Sequence, residues 1–344
     1  MKIALLVSQL PSRCKHGPAY QMHYLANHLV QRGHEITVFS MDPKPDDALY
    51  NVRIVKVKDR FKIFRYMWAL SRIDYSAFDV LHASGDDALL FLSKNKPPHV
   101  RTFMGSSLSE AFHMFKQPKQ CLKTFVLAFF EYISIFVADK CVLISKGTRR
   151  FIPFVRDVVY CGVDTNRFKP GNEKSDNPSI LFVGTLGWRK RGNMLVEIFN
   201  KQIKTKIPNA ELWLVADRDA KGEGIANYSK VSTEKLIELY QKAWVFCLPS
   251  TYEGFGLPYA EAMACGTPIV ASPNLGAKEV LGNGKYGIVA NDNRLLDALL
   301  GLLQNEELRK EYAQKGLDRA EEFDFSKITT EYENLYYAFT NNSK

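Results

Sequence analysis

The chain has 344 residues, 46% of them hydrophobic and 24% charged, which is the composition of an ordinary soluble globular protein. This length exceeds what one hydrophobic core usually supports, so we expect two domains of about 170 residues each. The six cysteines include no Cys-x-x-Cys pair, which argues against a zinc site or a dense disulfide framework, and we expect neither a metal nor a cofactor.

The charge is unevenly distributed along the chain. Residues 1–178 hold 26 lysines and arginines against 16 aspartates and glutamates, whereas the remainder holds 20 against 21. A basic first half indicates either contact with something anionic or a solvated surface without a partner. Nucleic acid is not expected, because no sequence pattern of a nucleic-acid-binding fold accompanies the charge.

The N-terminal run MKIALLV is too short for a signal peptide and predicts the first strand. The most hydrophobic later stretch, 124–138, is interrupted by Glu131 and is too short to span a membrane. We therefore expect a cytoplasmic protein without a transmembrane helix.

Apolar runs alternate with helical patterns along both halves of the chain. In the first half the predicted strands are 3–7, 36–39, 52–57, 80–82, 100–103 and 140–144, with a helix at 20–31. The polar segment 162–178 predicts a linker. In the second half the predicted strands are 180–183, 211–215, 245–248 and 268–271, with helices at 193–202, 233–242 and 258–264.

This order predicts an α/β protein of two Rossmann-like, doubly wound parallel-sheet domains, 1–165 and 175–325, with a cleft between them. A last helix within about 325–344 is expected to pack back on the first domain. Because ligands of such folds bind at the carboxyl ends of strands, near helix N-termini, we look for the site there.

Two loops at predicted strand ends suit an anion. Lys15-His16-Gly17-Pro18 opens the first predicted helix, and its glycine and helix N-terminus would let backbone N–H groups approach a ligand. The loop 184–192 places Arg189, Lys190 and Arg191 in a row, which a diphosphate would neutralise. A plain strand-to-helix turn and a solvated basic turn are the structural alternatives.

A third loop, 249–258, contains two glycines and Glu253, and Glu261 follows on the next predicted helix. Carboxylates at a helix start can accept hydrogen bonds from sugar hydroxyls, or they can be mere partners of the helix dipole. Two carboxylates also suggest a glycoside hydrolase, but the cations of 189–191 suit phosphate better.

The run 249–272 closely resembles the E-x7-E signature of retaining glycosyltransferase family 4, with Glu253 and Glu261 at the two acidic positions. Stretches at 25–38, 162–168 and 180–199 also look like that family, so the resemblance covers nearly the whole chain. It implies the GT-B fold and sugar transfer, with retention, from a UDP- or GDP-sugar. The implied acceptor is a glycan, a lipid-linked molecule or a small molecule, and no metal is implied.

The resemblance also implies roles for individual residues. Glu253 would bind the transferred sugar, Glu261 the donor ribose and Lys190 the phosphates, with Glu253 and Lys190 carrying catalysis. The nucleobase would lie near 229–231. The implied donor-binding positions are Gly17, Gly184, Thr185, Arg189, Ser229, Val231, Gly254, Phe255, Gly256, Leu257 and Glu261. The implied acceptor-side positions are His16, Met104, Gly105 and Ser106.

Three positions depart from the family pattern. Thr185 stands where an arginine is usual, which Arg189 or Arg191 could replace, and His16-Gly17 replaces paired glycines. Met104-Gly105 replaces His-Gly, and methionine cannot donate a hydrogen bond to the sugar. His16, His82 or Ser106 could supply a polar group instead, and a purely structural role is the favoured alternative for each of them.

These departures leave open a catalytically silent protein that binds a nucleotide or a glycan. A sugar-nucleotide epimerase is the other alternative. A nicotinamide dehydrogenase is disfavoured, because neither half has a GxGxxG motif after its first strand.

The segment 56–68 is basic with interleaved aromatic residues, and 112–130 adds further aromatics with Lys116, Lys119 and Lys123. Such segments can contact an anionic membrane surface, so a peripheral contact through the basic first domain is one expectation. A helix whose aromatic stripe packs on the first sheet is the alternative.

Overall fold

The computed structural model describes residues 1–13, 16–58, 61–113 and 118–341. Lys15, Lys116 and residues 59–60 of the basic segment lie outside the described residues, as does the side chain of Lys119. The chain forms two compact units, one of Met1–Gly162 with the segment from Phe325 onward, and one of Val163–Asp324.

The first unit is built on a seven-stranded parallel sheet. Its strands are β1 (Lys2–Leu6), β2 (Glu35–Ser40), β3 (Asn51–Ile54), β4 (Val80–Ala83), β5 (His99–Phe103), β6 (Lys140–Leu143) and β7 (Asp157–Val158). Their spatial order is β3-β2-β1-β4-β5-β6-β7. The predicted strand 52–57 ends early at Ile54, because its only neighbour β2 ends at the paired residue Ser40.

Helices cover both faces of this sheet. They are α1 (Gly17–Gln31), α2 (Lys62–Leu70), α3 (Ser107–His113), α4 (Pro118–Val137) and α12 (Phe325–Asn341), with a 3₁₀ turn at Ala88–Leu92. The buried stripe of α1 packs with α12 on one face, and Tyr66 and Leu70 of α2 pack on the other. Helix α12 is fixed to this unit by Glu333, whose Oε1 lies 2.8 Å from His34 Nε2.

A fully buried carboxylate, Asp87, follows β4. It accepts hydrogen bonds from the Arg101 guanidinium and from Ser134 Oγ (2.9 Å), and its second oxygen lies 3.1 Å from His99 Nε2. Burial by itself would raise the pKa of Asp87, but the charge of Arg101 and the contacts with His99 and Ser134 outweigh burial and hold this pKa below its usual range. This cluster connects β4, β5 and α4.

We expect Asp87→Ala to lower the free energy of unfolding by about 3–5 kcal/mol, because Arg101 would remain buried without its counter-charge. Urea unfolding followed by circular dichroism measures this. Glu35→Ala is the matched control, since Glu35 only forms an exposed pair with Lys2 at 3.9 Å and should change stability by less than about 1 kcal/mol. A similarly small change in the free energy of unfolding for both variants would contradict the stabilising role assigned to Asp87.

The second unit contains a six-stranded parallel sheet. Its strands are β8 (Ser179–Gly184), β9 (Glu211–Ala216), β10 (Ile225–Tyr228), β11 (Val245–Leu248), β12 (Ile269–Ala271) and β13 (Ile288–Val289). The spatial order is β10-β9-β8-β11-β12-β13. The helices are α5 (Gly192–Ile198), which continues through a π-helical turn (Phe199–Ile203) into α6 (Lys204–Lys206), then α7 (Thr233–Lys242), α8 (Leu257–Ala264), α9 (Leu275–Val280), α10 (Asp292–Gln304) and α11 (Glu306–Ala320).

The predicted architecture of two doubly wound parallel-sheet units is therefore confirmed. The sequence patterns do not predict the edge strands β7, β10 and β13, which are short and only partly buried. In the described ranges, no helix has both the length and the apolar character needed to cross a bilayer.

Candidate functional site

The centre of the second sheet holds two of the predicted loops side by side. Strands β8 and β11 are neighbours, and the strand order reverses between them. In doubly wound folds this switch point opens a crevice at the carboxyl ends of the strands. The loop after Gly184 and the loop after Leu248 both begin there.

The first of these loops, 185–191, turns sharply before α5. Trp188 and Arg191 adopt the left-handed conformation, with φ values of 57° and 53°. A Cβ atom on Gly184 would lie 3.3 Å from Lys190 Cγ, so this glycine lets the lysine stem pass close to the strand end. The turn therefore directs Lys190 toward the neighbouring loop.

Lys190 forms an ion pair with Glu253 across the crevice, with Nζ 2.6 Å from Oε1. Both side chains are largely buried, at 15% and 8% exposure. An ammonium group carries three donors, so Lys190 keeps bonding capacity for a second anionic group. The structure thus brings together the two residues for which the resemblance implies catalysis.

The two loops are also joined by hydrogen bonds to backbone carbonyl groups. Thr251 N donates to Arg189 O at 2.8 Å, and Arg191 Nε donates to Pro249 O at 2.6 Å. The Arg191 guanidinium additionally donates to both Asp292 oxygens and to Ser272 Oγ. Arg191 therefore connects the two loops to Asp292 and Ser272.

In the same loop, Arg189 is half-buried and Thr185 is exposed. The Arg189 guanidinium lies 5.8 Å from the centre of the Tyr252 ring, and Thr185 is exposed with its hydroxyl donating to Gly187 O. Of the cations at 189–191, Lys190 is thus the one that faces the carboxylate.

The loop 249–256 leads directly into α8. Gly256 has φ 97°, and Pro258 occupies the first turn of the helix, where the missing N–H costs nothing. Within the described part of the chain, the N–H groups of Gly254, Gly256 and Leu257 have no hydrogen-bond acceptor. Together with the helix dipole, these donors suit an anion or a sugar hydroxyl.

Glu261 lies one turn into α8 and accepts a hydrogen bond from Tyr240 Oη at 2.9 Å. Burial raises the pKa of Glu261 to about 7. The hydrogen bond from Tyr240 and the charge of Lys190 lower this pKa, but by less than burial raises it. Such a carboxyl group changes charge near neutral pH. Tyr240 is not predicted from the sequence, because nothing distinguishes it from the other apolar positions of α7.

The loop 249–256 rests on α9, and the sequence does not indicate this contact. Asn274 caps α9 and donates through Nδ2 to Ser250 O at 3.0 Å. Gly276 lies directly beneath the loop, where an added Cβ would be 2.6 Å from Phe255 O and 2.8 Å from Glu253 O. The position of Glu253 therefore depends on this glycine.

The predicted nucleobase segment, 229–231, connects β10 to α7. Ser229 is exposed, Val231 is half-buried and Lys230 has φ 52°. Ser232 then caps α7 by accepting from Lys235 N. The segment lies at the same edge of the sheet as the two loops, two strands away from β8.

The acceptor-side residues belong to the first unit. His16 is exposed and caps α1, in which Gly17 is the first residue. The Nε2 atom of His16 lies 3.0 Å from Gln9 Oε1. Met104, Gly105 and Ser106 follow β5 and line a cavity of about 270 Å³, and Ser106 Oγ accepts from Ser109 N at the start of α3.

His82 is not an available polar group. It is fully buried between Tyr336 Oη (2.6 Å) and Thr102 Oγ1 (2.8 Å). Burial, and then the nearby His99 and Arg101, lower the pKa of His82 to about 3, so the ring is neutral. Its role is to connect α12 to the sheet.

Among the described residues, no group of three or more His, Cys, Asp or Glu side chains could hold a metal ion. The candidate site consists of Lys190, Glu253, Glu261 and the backbone of the loop before α8.

Comparison with known proteins finds a glycosyltransferase family model for each half of the chain. Residues 163–319 match the family model described as "Glycosyl transferases group 1", and residues 16–167 match "Glycosyltransferase Family 4". An O-antigen chain mannosyltransferase of Escherichia coli is 38% identical over 173 residues, which is 45% of each chain. The aligned region thus spans less than half of that relative.

Two solved structures match over almost their full length. Sucrose-phosphate synthase from Thermosynechococcus elongatus has a TM-score of 0.81 and 19% identity, with 98% of both chains covered. The Anabaena protein HepE, in complex with UDP-glucose, has a TM-score of 0.77 and 15% identity, with 98% of this chain and 100% of that chain covered. The fold is the GT-B fold, and the chain belongs to the glycosyltransferases of family 4.

Proposed function

We propose that the chain is a retaining, metal-independent hexosyltransferase that uses a nucleoside-diphosphate sugar as donor. The observation that carries this proposal is the Lys190–Glu253 pair at the switch point of the second sheet, beside the N-terminus of α8. A site with one largely buried lysine, free backbone donors and two carboxylates suits a diphosphate joined to a hydroxyl-rich sugar. A UDP- or GDP-sugar is the proposed donor, and HepE was crystallised with UDP-glucose.

Each group has a distinct proposed task. As the bond between the anomeric carbon and the diphosphate breaks, the acceptor oxygen bonds to that carbon on the same face and gives its proton to the leaving diphosphate. Lys190 and the N–H groups before α8 stabilise the negative charge that develops on the leaving oxygen. Glu253 accepts hydrogen bonds from the transferred sugar once Lys190 is shared with the diphosphate. Glu261 accepts hydrogen bonds from the ribose hydroxyls.

Titration with UDP, GDP, ADP and their sugar conjugates, followed by thermal unfolding, tests the donor site. A ligand at about 100 times its Kd should stabilise the folded protein by roughly 2.7 kcal/mol. One base should stabilise the wild type, and Glu261→Ala should weaken that response. No response to any nucleotide at millimolar concentration would overturn the proposal, whereas binding without any donor turnover would identify a silent binding protein.

The raised pKa of Glu261 makes donor binding depend on pH. Because the ionised carboxylate accepts ribose hydroxyls better, we expect affinity for the sugar nucleotide to fall about tenfold between about pH 8 and pH 6. Sugar nucleotides suit this titration, since their diphosphate carries no proton in this range. Glu261→Gln should bind weakly with little pH dependence, and a wild-type profile as flat as that of the variant would contradict the assignment.

The same shift has a consequence for the ligand-free protein. The pKa of Glu261 is above its ordinary value of 4.5, so its contribution to stability is complete below about pH 4.5 and is lost as the pH rises through about 7. At about pH 8 the Glu261→Gln variant should therefore be more stable than the wild type in urea unfolding.

A further inference from the structure

The first unit exposes a large apolar surface on α2 and α4. We call it the aromatic face and define it by Phe64 and Trp68 of α2 and by Leu122, Phe125, Val126 and Phe129 of α4. The α4 members recur at helical spacing on the solvent side, and Phe129 is 64% exposed. The Phe64 and Phe130 rings lie 6.2 Å apart, so the two helices present one continuous surface.

Cations surround this surface. Lys62 and Arg65 lie on α2, Arg72 follows it with its guanidinium 4.7 Å from the Trp68 ring, and Lys123 lies on α4. Within the described ranges, none of these four side chains forms an ion pair. Exposed aromatics flanked by unpaired cations are typical of helices that lie in the headgroup region of an anionic bilayer.

The same two helices form part of the wall of the 270 Å³ cavity. Ile63 and Met67 of α2 and Leu127 and Phe130 of α4 supply its apolar side. The polar side contains Asp86, Arg101, Glu110 and Glu131. Carboxyl groups outnumber the single guanidinium, which also pairs with Asp87, so a phosphate is disfavoured inside.

The carboxyl groups of the cavity suit hydroxyl groups instead. Burial raises the pKa values of Asp86 and Glu131. Carboxyl oxygens accept hydrogen bonds from hydroxyl groups. A neutral, hydroxyl-rich head group thus matches the polar side, and an alkyl chain matches the apolar side that continues into the aromatic face.

We propose that the aromatic face docks on an anionic bilayer and that the cavity takes the hydroxyl-rich head of an acceptor anchored in that bilayer. The inference rests on the proposed sugar transfer and specifies its acceptor class. The four cations, Lys62, Arg65, Arg72 and Lys123, would lie at the level of the lipid phosphates, and the acceptor hydroxyl would enter between α2 and α4.

Vesicle sedimentation tests the docking. The full chain should bind vesicles of phosphatidylglycerol and phosphatidylcholine in equal amounts at least about tenfold more tightly than pure phosphatidylcholine vesicles. Trp68→Ser with Phe129→Ser, and separately Arg65→Glu with Lys123→Glu, should each lower this binding by about tenfold or more. Leu49→Ser with Tyr337→Ser is the matched control, because these exposed apolar residues lie outside both helices.

The docking would be overturned by equal binding to both vesicle types. It would also be overturned if the variants of the aromatic face and of its cations bound vesicles as well as the control variant does. The nucleotide titration on the same preparations separates this result from the proposed function. Nucleotide stabilisation without vesicle binding overturns only the docking, whereas vesicle binding without nucleotide stabilisation overturns only the donor site.

Octyl glucoside below its critical micelle concentration tests the cavity, with free glucose as the comparison. The alkyl glucoside should stabilise the protein and glucose should not. Leu127→Trp, which fills the cavity, should weaken this binding by about tenfold while vesicle binding persists, whereas Leu122→Trp on the exposed side of the same helix should not weaken it. Equal responses of the two variants, or of the two sugars, would overturn the cavity assignment.

Discussion

Replacing Lys190 with alanine should lower donor turnover by about 10²–10³-fold. The ammonium group is the buried cation nearest to Glu253, and it is the group proposed to meet the charge that develops on the leaving diphosphate. Removal of one preorganised electrostatic contact of this kind costs about 2.7–4 kcal/mol of transition-state stabilisation. Release of nucleoside diphosphate from the donor identified by titration measures the effect.

Lys201→Ala is the control for this variant, because Lys201 forms only an exposed pair with Glu197 in the same part of the chain. The variant at 190 also leaves Glu253 without its partner, so turnover must be measured well below the unfolding temperature. A folded Lys190→Ala protein with turnover within about threefold of the wild type would remove Lys190 from the proposed catalytic pair.

Replacing Gly276 with alanine should weaken donor binding by about tenfold or more, although residue 276 is not proposed to touch the ligand. The new Cβ would lie 2.6 Å from Phe255 O and 2.8 Å from Glu253 O, both backbone atoms. The loop must therefore move, which displaces Glu253 and the N–H groups before α8. Overpacking of this kind should also lower stability by about 1–3 kcal/mol.

Gly301→Ala is a close control, because it makes the same substitution inside helix α10 of the same unit. Its Cβ would meet only Leu308 Cδ2, at 4.0 Å. This variant should retain donor affinity and gain about 0.5–1 kcal/mol of stability, since alanine loses less backbone entropy in a helix than glycine. Donor affinities measured by thermal shift that fall equally in both variants, or in neither, would contradict the role assigned to Gly276.

The resemblance to a known family and the structure support the proposed donor site in different ways. The spacing of Glu253 and Glu261 is read directly from the sequence, and so is the row of cations at 189–191. Sequence reasoning could not assign separate tasks to those cations. The structure shows Arg191 bound to Asp292 and to the Pro249 carbonyl, and Lys190 alone paired with Glu253.

The segment 56–68 is a second case in which the structure separates two interpretations. Its aromatic residues could pack on the sheet or face outward, and the structure shows both. Tyr66 is buried against the sheet, whereas Phe64 and Trp68 are exposed beside α4. Periodicity gives the faces of a helix, but only its packing decides which face is covered.

The sequence by itself determined the alternation of strands and helices, the doubly wound architecture of both halves and the two acidic positions of the motif. These follow from local patterns, since hydrophobic periodicity and glycine-rich turns are set by neighbouring residues. Only the tertiary structure decided the pairing of Lys190 with Glu253, the contact of Tyr240 with Glu261 and the support from Gly276. Those contacts join residues that are far apart in the chain, and their geometry is set by strand order and helix packing.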